Sequence, residues 1–319
     1  MLDNVFGEEG VEILSNPVEQ MPLRPNTPDA VFYANVRLAV DRGFALIDRQ
    51  PAHDSVAVIC GGGPSLADSL PEIQVRYAAG QHIFALNGAG LWLRDRGVIP
   101  TAVILLDARE HNKAFLVGHD PATKFLLASQ CDPACFDAVP FDSVLMWHPD
   151  FGGASGVREF RPTRPIVGGT SVGMRALHLL WEIGYRDLHL FGYDSSYRDR
   201  EAHAYAQPET DQEAVGHEIT VSGRKFFAAQ WMVRQVEDFK DLALDLAEKD
   251  ATIEVHGDGL LPWVARKMAE EPPKFPRGDQ ETALTLFYDL ACAPASYDFV
   301  SVLARAEQAR INKGLNRLK

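Results

Sequence analysis

Four cysteines in 319 residues are too few for a disulfide framework. No apolar run approaches the roughly 18 residues of a membrane-spanning helix. The opening stretch, MLDNVFGEEGVEILSN, lacks the basic start and apolar core of a signal peptide, so the sequence reads as cytoplasmic. Basic residues are in the minority: 31 Lys and Arg against 44 Asp and Glu leave a net charge of −13. That excludes non-specific binding to nucleic acid or an anionic membrane, both of which need a cationic excess, although it leaves room for a local basic groove. Internal repeats and low-complexity segments are also missing. What is present, 46% hydrophobic and 24% charged residues, suits a globular protein with a sizeable core, built as one large domain or two small ones. Cys131 and Cys135, with His119 and His148 on either side, leave a zinc site open; reduced structural cysteines are the preferred reading.

Residues 1 to about 25 read as irregular. Thr27-Pro28-Asp29 then reads as a helix start, with a capping hydroxyl, a proline at the first helical position and an acid in the first turn; Gly43 ends the helix. From SVAVIC onward, short apolar runs alternate with helical or loop segments: HIFALN, TAVILLD, KFLLAS, SVLMWH, RPIVGG, DLHLFGYD and ATIEVHG. Runs of four to six apolar residues without alternation suit strands buried on both faces. Their alternation with helices predicts an α/β fold, Rossmann-like, with a mostly parallel sheet and helices on both faces. The expected organisation is an N-terminal extension with a helix (1–50), a nucleotide-binding domain (51–272) and a C-terminal helical extension (273–319).

In such a sheet, ligands bind beyond the carboxyl ends of the strands. The residues there are small, amidic or hydroxylic: Gly61, Gly62, Gly63, Pro64 and Ser65; Asn87; Asp107 and Arg109; Ser129; His148; Gly169, Thr170 and Ser171; Asp194 and Tyr197. The glycine turn is neither G-x-G-x-x-G, because Leu66 stands where that pattern wants glycine, nor a P-loop, because no G-K-[ST] follows. It still predicts a strand-to-helix corner at which Ser65 and the next amides point at a phosphate, with Gly63 close to the ligand or at positive φ. GGTSVGMRALHLLWEIG predicts a second glycine-rich helix start, capped by Thr170 or Ser171 and stopped at Gly184. From Asp194 to a helix expected near Phe226 runs a long polar and aromatic stretch holding Asp194, Tyr197, His203, Tyr205 and His217, read as a mobile lid that supplies a general base, with Asp194, His203 and His217 as catalytic candidates, and phosphate contacts.

GGGPSL, ALNGAG, VILLDAR, GGTSVGMRAL…GYRDLHLFGYDSSY and HAY, in that order, resemble the family that joins motility accessory factors to the archaeal 6-hydroxymethylpterin diphosphokinases, and look closest to a phage and bacterial subgroup. Its wider relatives are bacterial sialyltransferases, and the resemblance covers about residues 50 to 262. It implies a nucleotide-binding transferase. By likeness to the sialyltransferases, Gly61, Gly63, Pro64, Ser65 and Asn87 would contact a CMP-linked sugar, Thr170, Ser171 and Gly173 the cytidine or sugar, and Tyr197 and Tyr205 the phosphate. His203 or His217 would be the base. Gly62 departs from the sialyltransferase pattern, which has a bulky polar residue there.

Three functions stay open. The first is a glycosyltransferase that uses a nucleotide sugar, needs no metal in the protein and acts on an acceptor hydroxyl. The second is an ATP-dependent pyrophosphate transferase with Mg²⁺ on Asp107 and Asp194. The third is a non-catalytic nucleotide- or glycan-binding subunit. A homo-oligomer is compatible with all three.

Overall fold

Apolar runs of four to eight residues are too short for buried helices, and here they form parallel strands. The computed structural model describes residues 27–150, 165–169, 171–199, 201, 203–205 and 216–270. The irregular N-terminal segment, Thr170 and the expected C-terminal helices beyond 272 lie outside the described residues. The elements are α1 (Asp29–Asp41), β1 (Ala45–Leu46), β2 (His53–Cys60), α2 (Leu66–Ala78), β3 (His82–Leu86), α3 (Ala89–Arg94), β4 (Ala102–Leu105), β5 (Lys124–Ala128), α4 (Pro133–Asp137), β6 (Val144–Trp147), α5 (Val172–Glu182), β7 (Tyr185–Phe191), β8 (His217–Val221), β9 (Arg224–Ala228), α6 (Gln230–Glu248), β10 (Thr252–Val255) and α7 (Leu260–Glu270).

Eight strands form one sheet in the order β1-β6-β5-β4-β3-β2-β7-β10, with every pairing parallel. From β2 to β6 the chain marches one way across the sheet; β7 and β10 then add on the other side of β2. The topological switch therefore lies between β2 and β7, where an open α/β sheet opens its crevice.

The two-residue period of a strand divides β2 between two cores. Ala57 and Ile59 join the larger cluster, with Ala176 and Leu180 of α5 and Phe239 of α6. Val58 and Cys60 meet Leu66 and Ile73 of α2 and Leu93 of α3 on the other face. Ile59, Ile73, Ile83 and Leu93 are fully buried, each stabilising the fold by about 1.5–3 kcal/mol relative to exposure. Helices thus cover both faces, as the sequence predicts.

Three local expectations are corrected. RPIVGG is no strand: Ile166 makes a single bridge to Pro149, because Gly168 and Gly169, both at positive φ, turn the chain away at once. The helix near Phe226 starts instead at Gln230, and residues 217–228 form an antiparallel hairpin. Ser222 and Gly223 supply its two-residue turn, both with positive φ. The first helix begins at Asp29 with Pro28 in the cap position, one residue later than its capping pattern predicts.

Candidate functional site

The glycine turn leaves β2 beside the loop that leaves β7, and the two loops are stitched together. Gly61 N donates to Phe191 O at 2.8 Å and Gly63 N to Gly192 O at 2.8 Å. Ser65 N and Ser65 Oγ both donate to Asp194 Oδ2 at 2.9 Å. Asp194 is 2% exposed; burial raises its carboxyl above the ordinary aspartate value, with the two Ser65 bonds opposing. The expected phosphate cradle is therefore corrected: the amides of Gly61, Gly63 and Ser65 are spent inside the protein, and Asp194 occupies the N-terminal end of α2 as its internal anion.

The glycines serve the same packing. A Cβ on Gly63 would fall 2.3 Å from Asp194 Oδ2 and 2.7 Å from Gly192 O, and one on Gly61 would fall 2.6 Å from Gly192 O. Neither residue has positive φ. Gly63 is thus glycine because β7 and its loop press against it. Gly257 and Gly259, which no motif singled out, close the other side: their Cβ positions lie 2.5 Å from Ser65 Oγ and from Asp194 O.

The next strand end is different. Asn87 follows β3 with φ 49°, a left-handed conformation that Asn tolerates, and its Oδ1 is buried with no hydrogen-bond partner. Over this corner lies the segment His203–Tyr205. Ala204 N donates to Gly62 O at 2.9 Å. The Tyr205 ring lies against Gly88, where a Cβ would come within 2.8 Å of it, and its centroid is 6.3 Å from that of His203. The segment that carries His203 and Tyr205 is thus brought to the glycine turn, with the Tyr205 ring against Gly88, the residue after Asn87. Residues 206–215 lie outside the described residues.

His217 is not brought there in the same way. It is exposed on β8, opposite Ala228. Tyr197 N donates to Phe227 O at 2.8 Å and its ring packs on Phe227, so Tyr197 ties the loop after β7 to the hairpin. Ser195, at φ 47°, donates its hydroxyl to Gln235 of α6.

At α5, Ser171 accepts from Met174 N at 3.3 Å and caps the helix. Gly169 lies against Asp238, 2.2 Å from where its Cβ would be. Asp107, beyond β4, is held by Arg109 through the backbone amide, Nε and a terminal nitrogen at 2.6–3.1 Å. Ser129 and His148, at the ends of β5 and β6, hydrogen-bond to one another at 2.9 Å and are both buried; desolvation pulls the His148 value below that of an ordinary histidine.

The open zinc reading of the cysteines is corrected. Cys131 and Cys135 are free and buried, with their thiols pushed upward by desolvation, Cys135 to about 12. Neither they nor His119 and His148 enter a metal-competent cluster among the described residues. No described helix is long and apolar enough to cross a membrane.

A family model described as 6-hydroxymethylpterin diphosphokinase MptE-like matches residues 32–200, more than half of the chain and in line with the resemblance read from the motifs. Among solved structures, the chain is similar to the MAf glycosyltransferase from Magnetospirillum magneticum AMB-1, with a TM-score of 0.55 and 17% identity, covering 71% of this chain and 37% of that one. The chain thus spans little more than a third of that protein's length, and at this identity the likeness is one of fold. No curated protein matches the sequence.

Proposed function

The chain belongs to the 6-hydroxymethylpterin diphosphokinase MptE-like family, and from that premise we propose that it is a transferase taking a group from a nucleotide-linked donor, a sugar nucleotide, to an acceptor hydroxyl. Diphosphokinase and glycosyltransferase, the activities named for the family and for the structural neighbour, are both group transfers.

The observation that carries this reading is the corner at Asn87. A buried acceptor oxygen without a partner costs about 1–3 kcal/mol, a cost that a ligand N–H or O–H would offset. The Tyr205 ring lies on Gly88 beside Asn87, and His203 stands next to that ring. A nucleoside placed here would meet Asn87 through its polar edge, and its phosphate would reach Tyr205. His203 is the nearer of the two candidate bases to this corner; a neutral imidazole there would take the acceptor's proton as the donor phosphate leaves.

The Mg²⁺-dependent reading has less support. Its two carboxylates, Asp107 and Asp194, follow β4 and β7, three strand places and roughly 14 Å apart. One is held by Arg109 and the other by Ser65. They do not fit a shared octahedral ion with bonds of about 2.1 Å, and no step is derived through one. The glycine turn, with three amides already paired, also offers little of the dense N–H cradle that a triphosphate requires.

The test is a melting-temperature screen of the full chain with CMP, CMP-sugars and ATP, each with and without Mg²⁺. A ligand at one hundred times its dissociation constant stabilises by about 2.7 kcal/mol. The expected result is a shift with a cytidine nucleotide that is independent of Mg²⁺ and lost in Asn87→Ala. A shift with ATP alone, appearing only with Mg²⁺, would establish the diphosphokinase reading instead. Binding of a sugar nucleotide without turnover across a panel of acceptors would favour a binding subunit.

A further inference from the structure

On the face of the sheet covered by α2, away from Asn87, two parallel neighbours place three donor groups together. His189 of β7 pairs in register with Glu254 of β10, and His256, two residues on, returns to the same face. His189 Nδ1 lies 3.0 Å from His256 Nε2 and 3.5 Å from Glu254 Oε2, and His256 Nε2 lies 3.7 Å from Glu254 Oε1. Four ligands around Zn²⁺ at 2.0–2.1 Å stand about 3.4 Å from one another. The triangle of two imidazole nitrogens and a carboxylate therefore already has the size of one face of that tetrahedron.

The nitrogens that point away are also placed. His189 Nε2 lies 3.3 Å from Asp187 Oδ1, and His256 Nδ1 lies 3.7 Å from Glu72 Oε1 of α2. A carboxylate behind each imidazole is the usual arrangement behind a metal-binding histidine: it fixes the tautomer and directs the other lone pair inward. The rings are held as well, with His256 stacked on Phe191 at 4.1 Å and His189 largely buried. Three carboxylates, Glu72, Asp187 and Glu254, surround the pair against one cation, Arg76, which is bonded to Glu72. That excess of negative charge suits a dication.

We propose that His189, His256 and Glu254 bind a divalent transition-metal ion, Zn²⁺ foremost, with Asp187 and Glu72 as the carboxylates that orient the two imidazoles. The nitrogen-rich set with one carboxylate suits Zn²⁺ over Mg²⁺ or Ca²⁺, and three protein ligands leave a fourth position for water. The site straps β10, an edge strand, to β7. His256 is followed directly by Gly257, which packs on Ser65, so the same strap steadies the loop behind the glycine turn. This inference stands independently of the proposed reaction and adds a metal that the sequence reading did not expect. Its two histidines lie 67 positions apart with no ligand-spacing motif to join them.

The experiment uses untagged, metal-free full-length protein. Zn²⁺ is titrated in competition with a chromogenic chelator of micromolar affinity, Co²⁺ is followed by its visible absorption, and melting temperature is recorded alongside. The expected result is one Zn²⁺ per chain, a tetrahedral Co²⁺ spectrum and a rise in melting temperature with Zn²⁺. Glu254→Ala, at an exposed position that folding tolerates, and His256→Ala should each lose at least about tenfold in affinity, and Asp187→Asn about 10–100-fold. A wild-type chain that withdraws no Zn²⁺ from the chelator, or one whose binding is unchanged in Glu254→Ala and His256→Ala, would overturn the proposal. The imidazoles would then be joined only by an N–H···N hydrogen bond.

Discussion

Replacing Gly63 by alanine tests whether the glycine turn is shaped by the protein or by a ligand. Its φ lies outside the left-handed region, so alanine meets no backbone penalty there. The cost comes from the new Cβ, 2.3 Å from Asp194 Oδ2 and 2.7 Å from Gly192 O. The carbonyl belongs to the loop hydrogen-bonded to Gly63 itself and cannot retreat without breaking that bond. The carboxylate can retreat only by releasing Ser65 N and Oγ, both buried. Stranding those donors costs about 1–3 kcal/mol each, and overpacking costs typically 1–3 kcal/mol, so the net loss should be at least about 3 kcal/mol. That is a large part of an ordinary stability of about 5–15 kcal/mol. Gly43→Ala is the matched control: at φ 71° with nothing near its Cβ position, it should cost only the left-handed strain of about 1 kcal/mol. Urea denaturation followed by circular dichroism measures both without any ligand. A Gly63→Ala variant within about 1 kcal/mol of wild type would refute the packing argument and return the turn to the ligand.

Asp194→Ala should cost about 2–4 kcal/mol at pH 7 by leaving Ser65 N and Oγ unpaired, whereas Asp194→Asn, which keeps an acceptor, should cost much less; denaturation curves of the two separate the cases. Because burial raises the folded-state value of Asp194, the proton-linked part of its contribution is fully present below about pH 3.9 and is lost as pH rises through the folded value, so the wild type should gain on Asp194→Asn as the buffer is acidified. With a donor identified by the melting screen, His203→Ala should lower turnover by about 10²-fold at unchanged melting temperature, and His217→Ala should leave it unaltered; the reverse outcome would move the base to the hairpin.

The sheet was legible because the core of a buried parallel strand has nowhere to hide a polar residue: SVAVIC, HIFALN, TAVILLD, KFLLAS, SVLMWH and DLHLFGYD each contain the apolar stretch of one strand. RPIVGG failed the same test because two residues of extended chain meet two glycines in conformations no strand allows. The hairpin is legible too. HEITV and RKFFA alternate, and Ser222-Gly223 between them is a two-residue turn signal. Polar and aromatic residues in that stretch resemble a lid only if the period of two is ignored.

The candidate site divides along a different line. Motif reading finds which residues stand at strand ends, but it cannot say whether a polar group there faces a ligand or another loop, because that depends on the strand next door. Asp194 and Ser65 are 129 residues apart and meet only because β7 returns to lie beside β2. Gly63, Gly192, Gly257 and Gly259 answer to the same convergence: several backbones crowd around one buried carboxylate, and glycine at each crossing removes the Cβ that would hold them apart. Asn87 stands one strand over, outside this crowd, and so its side-chain oxygen is left unpaired. Three loops therefore spend their polar groups on one another at the switch between β2 and β7, and the proposed ligand contact lies one strand over, at β3. A substitution at Asn87 should then act on ligand affinity and leave denaturant stability nearly untouched, whereas one at Gly63 or Asp194 should act on stability first, with any loss of affinity following from it.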